Sequence, residues 1–284
     1  MRRPDEAATR VLSARRIAAV GYPVAGLAVF LALWWGATRL LVEPGSFLSQ
    51  FAPVPAFESL AAMLQKGALN RHIYASVERI TVGLLIASAV GIPLGLALGG
   101  LRWFALAATP ITGFVRMISP LSWTPLAIIL FGVGDPPVYF LIAIGSVWPI
   151  ALSTAAGVQA LDRAWIMLAR SLRASRVETV RTVIWPGVRP DVLTGLRIGT
   201  TTAWIILVPA EMLGVDSGLG FFILDARDRF DYPGMVAAII LIGAIGLVID
   251  RLTSWLLTPR RRARTSRVAE PQPVPAPLPA DYRI

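Results

Sequence analysis

Few side chains in this sequence of 284 residues could carry out chemistry. It has one His and no Cys, which excludes disulfides and argues against a catalytic metal site. It also lacks the Gly-x-x-x-x-Gly-Lys-Ser/Thr phosphate loop of ATP-hydrolysing proteins. Two charged residues, Arg116 and Glu211, interrupt long apolar stretches. A charged side chain within an apolar stretch is costly and usually has a function. Arg116 could stabilise an anion in a low-dielectric passage. The alternative is that Arg116 only anchors a helix by extending towards polar surroundings.

A second set of candidates lies in the polar segment 162–197, which separates two apolar stretches. Asp162 can cap a short helix at the start of this segment. Four apolar residues then follow at i, i+3, i+4 and i+7, which places them on one helix face. They are Trp165, Leu168, Ala169 and Leu172.

A second short helix is predicted directly after the first. Ser175 and Glu178 have the spacing of a capping box, which starts a helix. That helix should end before Pro186, because the residue before a proline avoids the helical conformation. A segment with two helices is more structured than a connector needs to be, so we expect it to contact another molecule.

Composition identifies the protein class that has to position these residues. Hydrophobic residues make up 55% of the chain and charged residues 15%, whereas a soluble domain has about 25% charged residues. The net charge of +10 would otherwise suggest nucleic-acid binding, but the charges cluster between apolar runs. This pattern argues against a soluble enzyme or a nucleic-acid binder and indicates an integral membrane protein.

Six apolar stretches approach the roughly 20 residues that a bilayer crossing needs. The first is not interpreted as a cleaved signal, because its apolar core exceeds the usual ~7–15 residues and no clear Ala-x-Ala site follows it. We therefore predict an all-α polytopic membrane protein with six transmembrane helices. The stretches are 17–38, 80–101, 103–134, 136–161, 198–213 and 232–249.

Arginine placement predicts the orientation. Arginines cluster in 2–16, 163–197 and 260–267, while the alternate loops are acidic or mixed. Since basic loops stay inside, the segment 162–197 and both termini are expected in the cytoplasm. In chain order, the predicted organisation comprises a cytoplasmic tail 1–16, a first transmembrane helix 17–41, a periplasmic segment 42–70 with a short amphipathic helix, a core 71–257 with a cytoplasmic loop 162–189, and a basic, Pro-rich disordered tail 258–284.

One stretch cannot be a single straight helix. Its roughly 32 residues at ~1.5 Å each would exceed a ~30 Å hydrocarbon core. Pro110, Pro120 and Pro125 supply breaks, so we expect a helix, an irregular turn near 119–125 and a second short helix. Such backbone persists in a membrane only where it is buried in protein or lines a cavity, and broken helices often mark transport sites.

Two stretches carry glycines every four residues, which lets another helix approach closely. They could pack helices within one subunit, or form a seam at a dimer interface or beside a moving pathway. The glycines are Gly91, Gly95 and Gly99 in one stretch, and Gly195 and Gly199 in the other.

Several short motifs occur together between residues 44 and 257. The segments 169–171 and 184–187 match positions of a loop signature that reads Glu-Ala-Ala, Gly three residues later, then Ile-x-Leu-Pro. Further matches lie at 116–120, 124–132, 148–150, 203–204, 209–214 and 217–220. In combination the chain resembles the permease subunit of binding-protein-dependent ABC importers, which has the type I fold, in the nitrate, sulfonate and taurine branch. It departs from the signature at Met167, Arg173 and Trp185, where the family usually has Glu, Gly and Leu.

The resemblance implies a coupling helix that docks on a separate cytoplasmic ABC ATPase subunit. It also implies a periplasmic or lipid-anchored solute-binding protein, a second permease copy in a homodimer, and a bacterial inner membrane, with no cofactor. The substrate would be a small anion such as nitrate, a sulfonate such as taurine, or bicarbonate. The expected residues are Trp165, Leu168, Ala169, Arg170, Ser171, Leu172, Arg173 and Ala174 for coupling, Ile184, Pro186 and Gly187 at the loop end, and Arg116, Trp204 and Glu211 along the pathway.

Two other classes of function compete with this interpretation. A membrane-embedded enzyme would need convergent carboxylates, His or Ser within the spans, where only Arg116 and Glu211 are charged. A secondary transporter or channel would work without an ATPase, and inverted repeats, which are not evident here, would favour it. Co-purification of an ATPase subunit would separate the importer from both.

Overall fold

The computed structural model describes residues 5–40, 43 and 46–257, and every regular element in this part of the chain is helical. The prediction of an all-α protein is therefore confirmed, while the tail 258–284, predicted to be disordered, lies outside the described residues. Short 3₁₀ turns cover Phe47–Phe51 and Pro120–Trp123, and a π turn covers Val180–Ile184. The helices are α1 Asp5–Leu40, α2 Pro53–Gln65, α3 Asn70–Gly100, α4 Arg102–Val115, α5 Thr124–Phe131, α6 Asp135–Gln159, α7 Arg163–Ser171, α8 Arg176–Thr179, α9 Trp185–Glu211, α10 Leu219–Asp228 and α11 Tyr232–Leu257.

Four helices of the described chain are long and apolar enough to cross a bilayer: α3, α6, α9 with its preceding turns, and α11. A fifth span results if the bent pair of α4 and Pro120–Phe131 crosses as one unit. Helix α1 contributes a shorter apolar part, Val24–Leu40. A total of six spans, with α1 as the first, stays a prediction.

The core consists of α3, α6 and α9, with α6 in the middle. Helices α3 and α6 run parallel, since Gly83 lies against Ile142 and Gly99 against Val158. Helix α9 packs antiparallel on another side of α6. The two helices share a buried cluster made of Ile80, Val138, Leu141, Ile142, Ala203, Ile206, Leu207 and Ala210, to which α3 contributes its first member.

Both sets of glycines pack against α6. A Cβ atom on Gly91 would stand 3.1 Å from Ile150 Cβ, and one on Gly199 would stand 3.0 Å from Ile150 Cγ1. Gly95 faces Thr154 in the same way, and Gly195 faces Ser153 and the Ile150 backbone. These glycines therefore let α3 and α9 approach α6 closely within one chain.

The peripheral helices pack more lightly. Helix α2 lies against α11, with Pro53 and Ala56 buried and Phe57 and Leu64 exposed. Helix α1 contacts the 3₁₀ turn before α2 through Trp34, whose Nε1 donates a hydrogen bond to the Phe51 carbonyl at 3.2 Å.

The broken span has the predicted form. Helix α4 ends at Val115, a 3₁₀ turn follows at Pro120–Trp123, and α5 leaves at 86° to α4. Pro110 lies within α4 without ending it. The break thus falls between Val115 and Thr124, where Pro120 begins the 3₁₀ turn and Pro125 lies in the first turn of α5, so a continuous helix cannot form.

Candidate functional site

Helix α7 begins as its sequence predicts and leaves an apolar surface uncovered. The carboxylate of Asp162 accepts a hydrogen bond from the Ala164 N–H at 2.9 Å, which satisfies one donor at the helix start. Trp165 is 60% exposed and Leu172 is 74% exposed, and Leu168 is exposed beside them. Ala169 differs, because it is buried against its own chain. Large apolar side chains uncovered on an otherwise polar segment are typical of an interaction surface.

The turn after α7 places a non-glycine residue in the left-handed region. Arg173 has φ +55°, its N–H donates to the Arg170 carbonyl at 2.9 Å, and the Ala174 N–H donates to the Ala169 carbonyl at 3.0 Å. These two hydrogen bonds form a Schellman motif, which usually has Gly where Arg173 stands. The backbone geometry that a glycine would favour is therefore kept, and Arg173 adopts it at a cost of ~1 kcal/mol.

The capping box of the next helix forms as predicted. The Ser175 N–H donates to Glu178 Oε2 at 2.7 Å, and the Glu178 N–H donates to Ser175 Oγ at 3.2 Å. Helix α8 ends at Thr179, but the chain then continues helically through the π turn into α9. The expected stop before Pro186 is thus wrong for the segment as a whole. The wider π turn, in which the Trp185 N–H donates to the Val180 carbonyl, precedes the proline and accommodates its missing N–H.

The end of this loop packs on the core. A Cβ atom on Gly187 would meet the end of the Leu161 side chain, so the lack of a side chain here lets the start of α9 lie against the chain just after α6. A cavity of about 420 Å³ separates this junction from α7 and is bordered by Trp165, Asp162 and Asp191.

A second cavity, of about 290 Å³, lies beside the broken span. It is bordered by Arg116 at the end of α4, Trp123 in the turn, Trp148 on α6 and Thr202 on α9. A Cβ atom on Gly145 would stand 3.0 Å from Pro120 Cγ, so this glycine lets the turn approach α6. The irregular backbone therefore lines a cavity, in agreement with the sequence argument.

Arg116 is the charged residue on this cavity's border. Its side chain is exposed, and it forms no hydrogen bond or ion pair with any residue that the structure describes. A guanidinium without a carboxylate partner keeps its five donors available to a passing anion.

Glu211, the other charge noted in the sequence, has a different environment. Its carboxylate is fully buried, and both of its oxygens accept hydrogen bonds. Ser76 Oγ donates at 2.7 Å, Arg79 Nη1 lies at 2.9 Å from Oε1, and the Gly220 N–H donates to Oε2 at 2.9 Å.

Arg79 connects this carboxylate to three further groups. Its guanidinium, 3% exposed, contacts Asp135 Oδ1 at 2.7 Å and donates to the Ser217 carbonyl at 2.6 Å and to Ser217 Oγ at 2.9 Å. We call Ser76, Arg79, Asp135, Glu211 and Ser217 the Arg79 cluster. It lies at the end of the core opposite to α7, which we call the Arg79 end.

Sequence reasoning missed Arg79, because Arg79 directly precedes the uncharged stretch 80–101 and so lies outside it. The available signal was Glu211 itself. A carboxylate that enters an apolar helix bundle requires a buried cation on a neighbouring helix. Trp204, the remaining pathway candidate, lies between α9 and α11, with its Nε1 against Gly246.

Comparisons with known proteins agree with this architecture. Residues 91–262 match the family "Binding-protein-dependent transport system inner membrane component". The chain is 37% identical to the bicarbonate transport system permease protein CmpB of Synechococcus elongatus, over 82% of this chain and 87% of the relative. It is 34% identical to the nitrate import permease protein NrtB of a Synechocystis species, over 82% and 86%. It is 35% identical to the taurine transport system permease protein TauC of Escherichia coli, over 81% and 87%.

Solved structures with the same fold are membrane components of ABC transporters. An inward-facing form of the MetNI methionine ABC transporter matches with a TM-score of 0.59 at 16% identity, over 66% of this chain and 94% of the other. An amino acid ABC transporter with histidines matches with a TM-score of 0.56 at 21% identity, over 70% and 95%. The structures establish the fold, and the sequence relatives establish the family: the chain belongs to the inner membrane components of binding-protein-dependent transport systems.

Proposed function

We propose that this chain is the membrane-spanning permease subunit of an ATP-driven importer and forms the path for a small anion. The observation that carries the path is the cavity at the broken span, bordered by an Arg116 without a partner among the described residues. A positive charge that is weakly held by its own chain can stabilise an anion in transit and still release it. The relatives named for bicarbonate, nitrate and taurine support an anionic substrate, because each of these solutes has an anionic group.

ATP hydrolysis would be supplied by a separate subunit that docks on α7. The exposed apolar side chains of Trp165, Leu168 and Leu172 support this assignment. Movement imposed on α7 would reach α9 through the short turn 172–175, because α8 and the π turn after it continue helically into α9. It would then reach α6, since the Gly195 and Gly199 contacts leave no gap between α9 and α6.

The remaining parts of the assembly follow from this assignment. The α7 end of the core and both chain termini would lie in the cytoplasm of a bacterium, and the Arg79 end would face the solute-binding protein. A second copy of the permease would complete the pathway. Two separate bodies that rock around a central cavity would expose it to each side of the membrane in turn.

Co-purification tests this function against a channel or a secondary transporter. The tagged chain, expressed together with the ATPase and binding-protein genes of its own transport system, should retain the ATPase in mild detergent. Leu172→Asp should release the ATPase, because it puts a charge into an apolar contact. Leu64→Asp is the matched control, because Leu64 is an exposed apolar residue of α2 outside the predicted spans. Wild-type chain that purifies without an ATPase, yet conducts or exchanges anions, would refute the proposal.

A further inference from the structure

The Arg79 cluster joins all three core helices to one short connecting segment. Ser76 and Arg79 belong to α3, Asp135 begins α6, and Glu211 ends α9. Ser217 lies in the segment 212–218 between α9 and α10. Arg79 contacts members of each of the other elements, so it is the common point of the cluster.

The segment 212–218 is held at several points. Besides the two bonds from Arg79 to Ser217, the carbonyl oxygen and the N–H of Gly218 lie 3.1 and 3.2 Å from His72 Nδ1. Directly after the segment, the Leu219 N–H donates to Ser76 Oγ at 2.9 Å. Gly218 has φ +110°, and a Cβ atom there would collide with Arg79 and Glu211. The backbone of the segment is thus pressed directly onto the ion pair.

Opening this cluster would be costly. The side chains of Arg79 and Glu211 are 3% and 0% exposed, so separation would leave buried charges without partners. Of the two acids that contact Arg79, Asp135 is half-exposed, at 48%, and Glu211 is fully buried. The three helices and the segment are therefore expected to stay together while the transporter changes conformation.

We propose that Arg79 is a positioning residue for transport: through the buried ion pair with Glu211 it fixes the segment 212–218 to α3, α6 and α9. This inference rests on the proposed function. A force applied at the Arg79 end, where the segment exposes Asp216, therefore moves α9, because the segment is fixed to that helix. A loosely held loop would move by itself and leave α9 in place. Arg79 and Glu211 act on the position of the segment and do not contact the solute.

The first test measures the position of the segment and does not require transport. Arg71 and Asp216 form an exposed ion pair at 3.6 Å, and the chain has no Cys. Cys replacements at these two positions should cross-link rapidly with a short bifunctional thiol reagent. Arg79→Lys keeps a charge but cannot bridge the same set of acceptors, so cross-linking should slow by roughly tenfold or more, the effect of losing a charge-assisted hydrogen bond.

The second test measures the ratio of ATP hydrolysis with and without the solute-binding protein in the reconstituted complex. Arg79→Lys should lower this ratio towards one while the basal rate stays as in wild type, because α7 lies at the opposite end of the core. Ser217→Ala, which leaves both charges in place, should shift the ratio in the same direction by less. Arg71→Lys is the control, since its ion pair is exposed and worth little.

The outcomes separate the two proposals. Arg79→Lys and Ser217→Ala with wild-type cross-linking and a wild-type ratio would overturn the inference. A wild-type complex that the binding protein does not stimulate would overturn the proposed function instead, and the cross-linking rates would then decide the inference alone. If Arg79→Lys does not fold, Ser217→Ala decides it by the same two measurements.

Discussion

Replacing Gly95 by Ala tests whether the glycine series packs helices within one subunit. The added Cβ would lie 2.5 Å from Thr154 Cβ and would also meet the carbonyl oxygen of Ala151. Carbon atoms rest at about 3.5–4.0 Å, so α3 and α6 would have to separate by roughly 1 Å. Overpacking of this kind costs about 1–3 kcal/mol, and the neighbour includes backbone, which cannot turn aside as a side chain can.

The assay is thermal unfolding of the isolated chain in detergent, compared with two glycine controls. A Cβ on Gly100 would lie 4.0 Å from Val158 Cγ1, and one on Gly113 would have nothing within 4 Å. Both controls should be neutral or stabilising by up to ~1 kcal/mol, because Ala favours helix over Gly. Gly95→Ala should unfold at a clearly lower temperature than either. If it unfolds with the controls but changes the oligomeric state, the series is an intersubunit seam and the packing argument is refuted.

Three further predictions concern the site and the topology. Arg173→Gly should raise the thermal stability of the isolated chain by ~1 kcal/mol, because Gly adopts φ +55° without strain; unchanged or lower stability would contradict the backbone argument. Arg116→Gln should lower ATP-dependent uptake per reconstituted complex, while Arg116→Lys should be milder; wild-type uptake by the Gln variant would remove Arg116 from the path. A Cys at Ser175 should react with a membrane-impermeant thiol reagent only from the cytoplasmic side, and labelling of intact cells would contradict the orientation.

Local patterns in the sequence predicted local structure well. The Asp162 cap, the Ser175–Glu178 capping box and the break at Pro120 depend on residues close in the chain, and each forms as expected. The face of α7 was predicted less fully, since Ala169 turns inward. The helix period defines a face but does not identify which part of it the rest of the chain covers.

Features that depend on distant residues could not be predicted in this way. Arg79 and Glu211 are separated by 132 positions, and the packing of α3, α6 and α9 on one another brings them together. The continuation of the helix through Pro186 depends on the π turn before it, which has no distinct sequence pattern. The Gly95 contacts show the same limit, because the spacing predicts a close neighbour but not that the neighbour is α6.

The most direct test of the account is anion uptake by proteoliposomes that contain the permease, its ATPase and its solute-binding protein. The account predicts uptake that requires all three proteins and ATP on the side of α7, and that stops when the ATPase cannot hydrolyse ATP. Uptake of the same anion by the permease alone, driven only by an imposed ion gradient and unaffected by ATP, would contradict it.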